Sequence, residues 1–397
     1  MRVLIIPPGV LPVPATKGGA VEKLIETYIN ENEKQHRINF TIYTIQNNSN
    51  NNLEYKYTEF KYIKNNKLTY KIERAFRWII NNKLPKIHIG NVYISKVAKA
   101  LKNDNTNYDV IILENNPFAI LKLRKIFPKT KIILHLHNDY LNIETKKAKR
   151  ILNLYDEIIA ISKYIKSRVD DIEKTEKVKV VYNGVNTDIF SRNIEPQILE
   201  KAKEKYGIKK DDIVLLYTGR LVEEKGVKEL IEAANRIIDT NPNIKLLIVG
   251  SKASSDSKKD LFINKINNIS KKHEKNIIFV GFVQYEKLPI FHQISNIQVI
   301  PSKWEEPLGN VVIEGMASGI KQIVTNSGGI PEIVQGTSAS IIETKDLEEN
   351  LYKSICENIN KEKYQRKRNE KEIKVFSESV YSNNIFKELE KWGTKDE

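Results

Sequence analysis

Cysteine is nearly missing: Cys356 is the single one among 397 residues. No intramolecular disulfide can form, and a reducing compartment suits such a chain. Cys356 falls among Leu351, Ile355 and Ile359 at helical spacing, so a small buried apolar role is expected for it. There is no CxxC pair and no HExxH, which leaves zinc chemistry without support. The GxGxxG fingerprint is absent too, so a nicotinamide enzyme has no basis. No apolar run approaches the ~20 residues that span a bilayer. The opening MRVLIIPPGVLPVPA superficially resembles a secretory leader, but only Val3 to Ile6 run apolar before Pro7 and Pro8. A first strand entering a loop accounts for it better.

What is present is ordinary for a globular protein. Hydrophobic residues make up 40% and charged residues 29%, so a disordered chain is excluded. The length exceeds what one core usually supports, and two domains are expected. The net charge of +15 is unevenly spread. Residues 1–190 carry 32 Lys and Arg against 19 Asp and Glu, a net of +13, and the remainder carries +2. Within residues 61–102 there are eleven basic side chains and one acid, Glu73. Such a field attracts nucleic acid, anionic lipid or a phosphorylated substrate. A general Lys- and Asn-rich bias is the plainer reading, and no recognition motif for nucleic acid accompanies the charge.

Short β-branched runs alternate with helical periodicity. Val3–Ile6, Phe40–Ile45, Val110–Leu113, Lys131–Leu136, Glu157–Ile161 and Val178–Tyr182 read as strands. Ala20–Lys34, Val92–Leu101 and Pro117–Ile126 read as helices between them. The pattern then restarts, with strands at Ile213–Tyr217, Ile244–Val249, Ile277–Val280, Ile297–Ile300 and Gln322–Thr325, and helices at Val227–Ile238 and Leu261–Ile269. Two βα series predict an α/β protein with two Rossmann-like, doubly wound domains. The join is expected near Asn183–Phe190, where Asn-Gly breaks a strand. Residues 46–52, almost all Asn, read as a loop, and the charged stretch 361–374 as a solvated helix.

Three loops and one strand end hold candidate chemistry. In Pro301 to Gly319, PSKWEEPLGNVVIEGMASG, Pro307 and Gly309 keep the chain from a helix until about Asn310. The helix start offers N–H groups and a positive dipole end at the carboxyl side of a strand. Glu306 lies before that start and Glu314 on its second turn; such carboxylates suit sugar hydroxyls, which donate O–H to a charged acceptor. Acids are also common as plain helix-start residues. In Tyr217 to Gly226, YTGRLVEEKG, Arg220 and Lys225 sit where a strand gives way to a helix, and both suit phosphate oxygens. Lys17-Gly18-Gly19-Ala20 lets backbone approach a ligand closely. His135 and His137 share one face of their strand. They are compatible with a metal or, more simply, with one packed ring and one lining a cleft.

Together these features resemble family 4 of the retaining glycosyltransferases, whose fold is called GT-B. The resemblance runs through the GG loop, HisAsn at 137–138, SKYIKSRV (162–169), VVYNGVNTDIF (180–190), GRLVEEKG (219–226), VGFV (280–283), the 301–319 block and IVTNSGGIPEIV (323–334). Glu306 and Glu314, with seven residues between them, match the family's E-x7-E motif. LPVPATKGGA and KWEEPLGNVVIEGMASG are most similar to the spore coat protein SA branch. Two departures are Gly315 after the second Glu and Lys321 in place of a usual Pro.

The resemblance implies two domains facing across a cleft: 1–186 for the acceptor, 187–376 for the donor, and a helix in 377–397 packing back on the first. It implies that Arg220 and Lys225 hold the donor diphosphate, Glu306 the donor sugar and Glu314 the ribose. Backbone N–H groups of Leu308, Gly309, Asn310 and Val311 would cradle phosphate and sugar, and Val283 would bracket the base. Gly18 and Gly19 would approach the diphosphate from the other domain, with His137 near the reacting carbon. The implied activity is a retaining, metal-independent hexosyl transfer from a UDP-linked sugar, with no cofactor. The acceptor would be a carbohydrate or lipid-linked hydroxyl in cell-surface polysaccharide, glycolipid or spore-coat glycan synthesis. Alternatives are a nucleotide-sugar 2-epimerase on the same fold and a non-catalytic coat or scaffold protein.

The protein is expected in the cytoplasm, and residues 61–102 suggest peripheral contact with the inner face of the membrane. Residues 70–82 read as an amphipathic helix, with Ile72, Ala75, Phe76 and Ile79 on one stripe and Arg74, Arg77, Trp78 and Asn81 opposite. Tryptophan among arginines suits an anionic interface. Packing of Trp78 beneath a neighbouring loop is the other reading.

Overall fold

Strands that are apolar along their whole length must be covered on both faces, and that is how they are used here. The computed structural model describes residues 1–46, 54–64, 92–251, 261–359 and 366–393. It divides into two compact units: Met1–Gly184 with Glu378–Glu397, and Val185–Ser377.

The first unit holds β1 (Arg2–Ile6), β2 (Asn39–Ile45), β3 (Thr58–Ile63), β4 (Val110–Glu114), β5 (Lys131–Leu136), β6 (Glu157–Ala160) and β7 (Val178–Val180). Their order in the sheet is β3-β2-β1-β4-β5-β6-β7, parallel throughout. The second holds β8 (Ile213–Thr218), β9 (Ile244–Val249), β10 (Ile277–Gly281), β11 (Ile297–Ile300), β12 (Lys321–Thr325) and β13 (Ser340–Ile342), ordered β10-β9-β8-β11-β12-β13 and again parallel. The order reverses between β1 and β4, and between β8 and β11. Ligands bind outside the carboxyl ends of strands at such switch points.

Alternation along β8 shows the double covering. Leu215 and Tyr217 pack with the helices Val227–Thr240 and Leu347–Ile359, while Val214 and Leu216 pack with Phe291 and Ile294 on the other face. Leu230, Ile231, Ala234, Ile237 and Ile238 form the buried stripe of Val227–Thr240. Each large side chain so buried contributes about 1.5–3 kcal/mol. In the first unit the helix Glu378–Glu390 packs Tyr381, Ile385, Phe386 and Leu389 into a core with Tyr28 and Phe40. Arg37 forks onto Glu390 at 2.8 and 2.5 Å, fastening its last turn.

Two strands escape the sequence reading. β3 is an edge strand whose charged Glu59 and Lys61 interrupt its apolar pattern, and β13 is three residues at the other unit's edge. The helix expected over 361–374 is confined, among the described residues, to Glu370–Lys374; 366–369 are non-helical. Cys356 is half-buried against the core rather than enclosed. Most of 46–52 and all of 70–82 lie outside the described residues. No helix among the described residues is long and apolar enough to cross a membrane.

Candidate active site

In the second unit, β8 and β11 are neighbours at the switch point, so the loops leaving them run side by side. The backbone N–H groups of Lys303 and Trp304 donate to the Glu224 carbonyl at 2.8 and 3.2 Å. This brings Lys225 to Glu306. The ammonium contacts Oε1 of Glu306, which also accepts from Ser302 Oγ at 2.7 Å. The Lys225 ammonium lies 5.9 Å from the centre of the Trp304 ring. Glu306 is buried. The phosphate candidate and the sugar candidate are therefore joined as an ion pair, which the sequence reading treats as two separate ligands.

The main chain of Glu306 is held from the loop after β12. Gly329 N–H donates to the Glu306 carbonyl at 2.7 Å, and Gly328 N–H donates to Oε2 of Glu305 at 2.5 Å. Gly328 has φ +55°, and a Cβ there would stand 2.1 Å from the Glu306 carbonyl oxygen. Only glycine permits that approach.

Leu308 is buried, and Gly309 forms the left-handed N-cap of the helix Asn310–Ser318, so Asn310 and Val311 stand in its first turn. The first turn of a helix presents N–H groups that the helix itself leaves unsatisfied. Glu314 lies one turn on. Burial pushes its carboxyl up to about 8, and its Oε2 has no hydrogen-bond partner among the described residues. At neutral pH it is a neutral acid able to donate an O–H, not the charged acceptor read from the sequence. Gly315 also finds its reason: a Cβ would stand 1.9 Å from Gln298 Oε1, in the space of a Gln322–Gln298 hydrogen bond of 2.9 Å.

Arg220 is exposed just beyond β8; its carbonyl accepts from Tyr217 Oη at 2.7 Å. Val283 is half-buried just beyond β10, packed against the Phe291 cluster. The strands β9 and β8 separate β10 from β11. The structure thus joins Lys225 to Glu306, with the helix start and Glu314 following, and leaves Val283 on a different strand end.

In the first unit, Gly18 and Gly19 precede the helix Ala20–Gln35, with φ +74° and +105°. A Cβ on Gly19 would stand 2.2 Å from Glu22 Oε2. Burial raises the Glu22 carboxyl above its ordinary value, and the charge of Glu114 adds to the rise. Glu114 ends β4, in register with His135 of β5. Oε2 of Glu114 lies 2.8 Å from His137 Nε2 and 3.1 Å from His135 Nδ1, and Tyr28 Oη donates to Oε1 at 3.0 Å. All three of Glu114, His135 and His137 are buried. Burial alone would raise the Glu114 carboxyl, but His135 and His137 outweigh it and hold it at about 2. Burial first, then the charge of His135, depresses His137 to about 4.

These three residues bring a carboxylate oxygen and two ring nitrogens within 4.8 Å of one another, a set able to hold a metal ion. Both rings are buried, His135 at 0% and His137 at 5% exposure. The sequence reading does not single out Glu114, Tyr28, Ser302 or Gly328. The signal for Glu114 is a carboxyl ending an otherwise apolar strand, VIILE.

Comparison with known proteins follows the two units. A model described as glycosyl transferases group 1 matches residues 199–375, and one described as glycosyltransferase family 4 matches residues 59–189. YtcC of Bacillus subtilis (strain 168), which carries a glycosyltransferase name, is 30% identical over 82% of this chain and 75% of its own length. Spore coat protein SA of the same organism is 25% identical over 84% of this chain and 83% of its own. Among solved structures, a glycosyltransferase of Rickettsia africae ESF-5 superposes with a TM-score of 0.75 at 21% identity, covering 100% of this chain and 99% of that one. Anabaena Alr3699/HepE, solved in complex with UDP-glucose, gives 0.70 at 17% identity, covering 98% and 100%. These likenesses show the fold, two doubly wound α/β domains of the GT-B kind. With the sequence matches over both units, they place this chain in glycosyltransferase family 4.

Proposed function

We propose that this protein transfers a sugar from a UDP-linked donor to an acceptor hydroxyl with retention of anomeric configuration and without a metal. The observation that carries this is the Lys225–Glu306 pair beside the start of the helix Asn310–Ser318. The UDP-glucose complex of the structurally similar Anabaena protein supports the choice of donor. Arg220 and Lys225 bind the diphosphate, with the ammonium of Lys225 bridging phosphate and Glu306. Glu306 accepts hydrogen bonds from sugar hydroxyls. Glu314, kept neutral by burial, exchanges hydrogen bonds with the ribose diol. Backbone N–H groups of Leu308 to Val311 receive the phosphate, and Val283 flanks the base.

The acceptor oxygen attacks the anomeric carbon on the leaving-group face as the bond to the diphosphate oxygen breaks. A phosphate oxygen takes the acceptor's proton. The protein's part is electrostatic: Arg220, Lys225 and the helix start stabilise charge growing on the departing diphosphate.

Similar proteins include a lipopolysaccharide 1,2-N-acetylglucosaminetransferase of Salmonella typhimurium and a capsular polysaccharide biosynthesis glycosyltransferase, CapM, of Staphylococcus aureus. A carbohydrate or lipid-linked acceptor in cell-surface glycan synthesis fits them. The enzyme then works in the cytoplasm, docked on anionic lipid through the basic stretch 61–102. Transfer assays with a panel of UDP-sugars and glycan or glycolipid acceptors test the activity. Product with inverted configuration overturns the stereochemistry, and an epimerised donor formed without acceptor points to an epimerase. Co-sedimentation with anionic but not neutral vesicles, weakening with salt, tests the docking.

A further inference from the structure

One large aromatic side chain stands exposed beside the Lys225–Glu306 pair. Trp304 is 42% exposed, two residues before Glu306, and its ring centre lies 5.9 Å from the Lys225 ammonium. Its backbone is held at both ends of the residue. The Trp304 N–H donates to the Glu224 carbonyl at 3.2 Å, and its own carbonyl accepts from Ser302 Oγ at 3.3 Å and from Ser327 Oγ. The indole is therefore displayed from a fixed loop. A lone apolar residue on a surface is ordinary, but this one walls a recess of about 740 Å³ with Glu223, Glu224 and Lys303. That size suits a small ligand. The recess exists because β8 and β11 are neighbours: the turn Glu223–Lys225 follows the first, and Trp304 lies in the loop after the second.

Charge on the recess is of one sign. Lys303 Nζ lies 2.8 Å from Glu229 Oε1, and Lys225 is joined to Glu306, so each ammonium already faces a carboxylate. Glu223 and Glu224 are exposed, and their carboxylates form no ion pair or hydrogen bond among the described residues. What the recess offers is one broad π face and two carboxylates that only accept hydrogen bonds. A sugar ring matches both. Its C–H face is apolar and slightly positive, and meets the negative face of an indole. Hydroxyls at its edge donate to carboxylates. A ring that carries its own carboxylate meets Glu223 and Glu224 as a like charge and is disfavoured.

We propose that Trp304, Glu223 and Glu224 form a subsite for a neutral sugar ring, and that the two carboxylates reject anionic sugars such as uronates. This rests on the transferase reading for its place in the reaction. The ring belongs either to the donor or to the acceptor glycan. Both present the same chemistry, and all the residues that meet it lie in the second unit.

The test uses the full chain. Calorimetry with UDP, UDP-glucose, UDP-N-acetylglucosamine and UDP-glucuronate reads the donor. KM for a neutral and for a uronate-bearing oligosaccharide reads the acceptor. In one of these two comparisons the wild type should favour the neutral ligand by at least about tenfold. Trp304→Ala should weaken that neutral ligand by about tenfold while UDP stays within about twofold. Trp304→Phe should recover part of the loss, since an aromatic face remains. Glu223→Gln with Glu224→Gln should narrow the gap between neutral and uronate ligands to about threefold or less, because amides carry no charge. A loss confined to UDP-sugars assigns the ring to the donor, and a loss confined to the oligosaccharide assigns it to the acceptor. Equal losses for UDP and UDP-sugar in Trp304→Ala overturn the proposal, because the indole then serves only to hold Lys225. Unchanged neutral ligands in that variant overturn it, and so does a wild type that takes uronates as readily as neutral sugars. If the wild type transfers no sugar, the transferase reading fails. Calorimetry of the neutral oligosaccharide against wild type and Trp304→Ala then decides the subsite, and equal binding or none overturns it.

Discussion

Glu114 and Glu314 are the same residue type, both buried, one in each unit, and their acidities lie far apart: about 2 for the first and about 8 for the second. Burial pushes both upward, because a low-dielectric surrounding disfavours the charged form. Glu114 is pulled back by two imidazoles and by the hydrogen bonds it receives. Glu314 has no such partner, and its Oε2 makes no hydrogen bond among the described residues. Burial therefore does not decide what a carboxyl can do in a site; its neighbours do. One glutamate is an anion held between two imidazoles. The other is a neutral acid with an O–H to offer.

The largest test of that contrast is the pH dependence of stability in Glu314→Gln. The folded-state pKa of about 8 lies above the ordinary 4.5, so the proton is bound more tightly in the folded protein. The stability it contributes is fully present below pH 4.5 and is lost as pH rises toward 8. Relative to wild type, the Gln variant should gain on the order of 4 kcal/mol between pH 4.5 and pH 8. Urea unfolding at several pH values measures it, and a flat difference breaks the contrast.

Glu114→Gln should behave with the opposite sign. Its folded-state pKa of about 2 lies below 4.5, so its stabilisation is present above pH 4.5 and is lost as pH falls toward 2. The variant should be less stable than wild type by about 3 kcal/mol at pH 7, with the gap closing in acid. Gly328→Ala tests a different dependence, that of Glu306 on its backbone support. A Cβ 2.1 Å from the Glu306 carbonyl oxygen, at positive φ, should cost about 2–3 kcal/mol and lower turnover with it. Thermal unfolding together with initial rates would register both effects. Lys225→Ala comes last, weakening UDP-sugar binding by about 2 kcal/mol, or roughly 30-fold, with the fold intact. Calorimetry reads it directly.

Most of the architecture was legible in the sequence because the central strands are continuously apolar and bounded by helices. β4, β5, β8 and β9 could be placed within a residue, whereas β3 could not, since an edge strand keeps Glu59 and Lys61 on a surface that does not need to be apolar. Around the site, Arg220, Lys225 and Glu306 stand out as charged residues in the loops past strand ends, and Glu314 as one on the helix that follows. Their relations do not. Nothing in the spacing of Lys225 and Glu306 shows that they touch across 81 positions, because that follows from β8 and β11 being neighbours. Glu114 is invisible for the same reason: its meaning comes from its place beside β5, not from the residues next to it in the chain. The protonation of Glu314 is equally hidden, being set by what surrounds the helix rather than by the motif.

In the proposed function the second unit binds a nucleotide sugar with Glu306 on the sugar and Glu314 on the nucleoside. Isothermal calorimetry of UDP and of the preferred UDP-sugar against wild type, Glu306→Gln and Glu314→Gln tests it most directly. Glu306→Gln should weaken the UDP-sugar by about tenfold or more and leave UDP within about twofold, since bare UDP has no sugar hydroxyl to meet it. Glu314→Gln should weaken both ligands alike, because both carry ribose. Equal losses for UDP and UDP-sugar in Glu306→Gln, or no loss in either variant, would contradict the assignment.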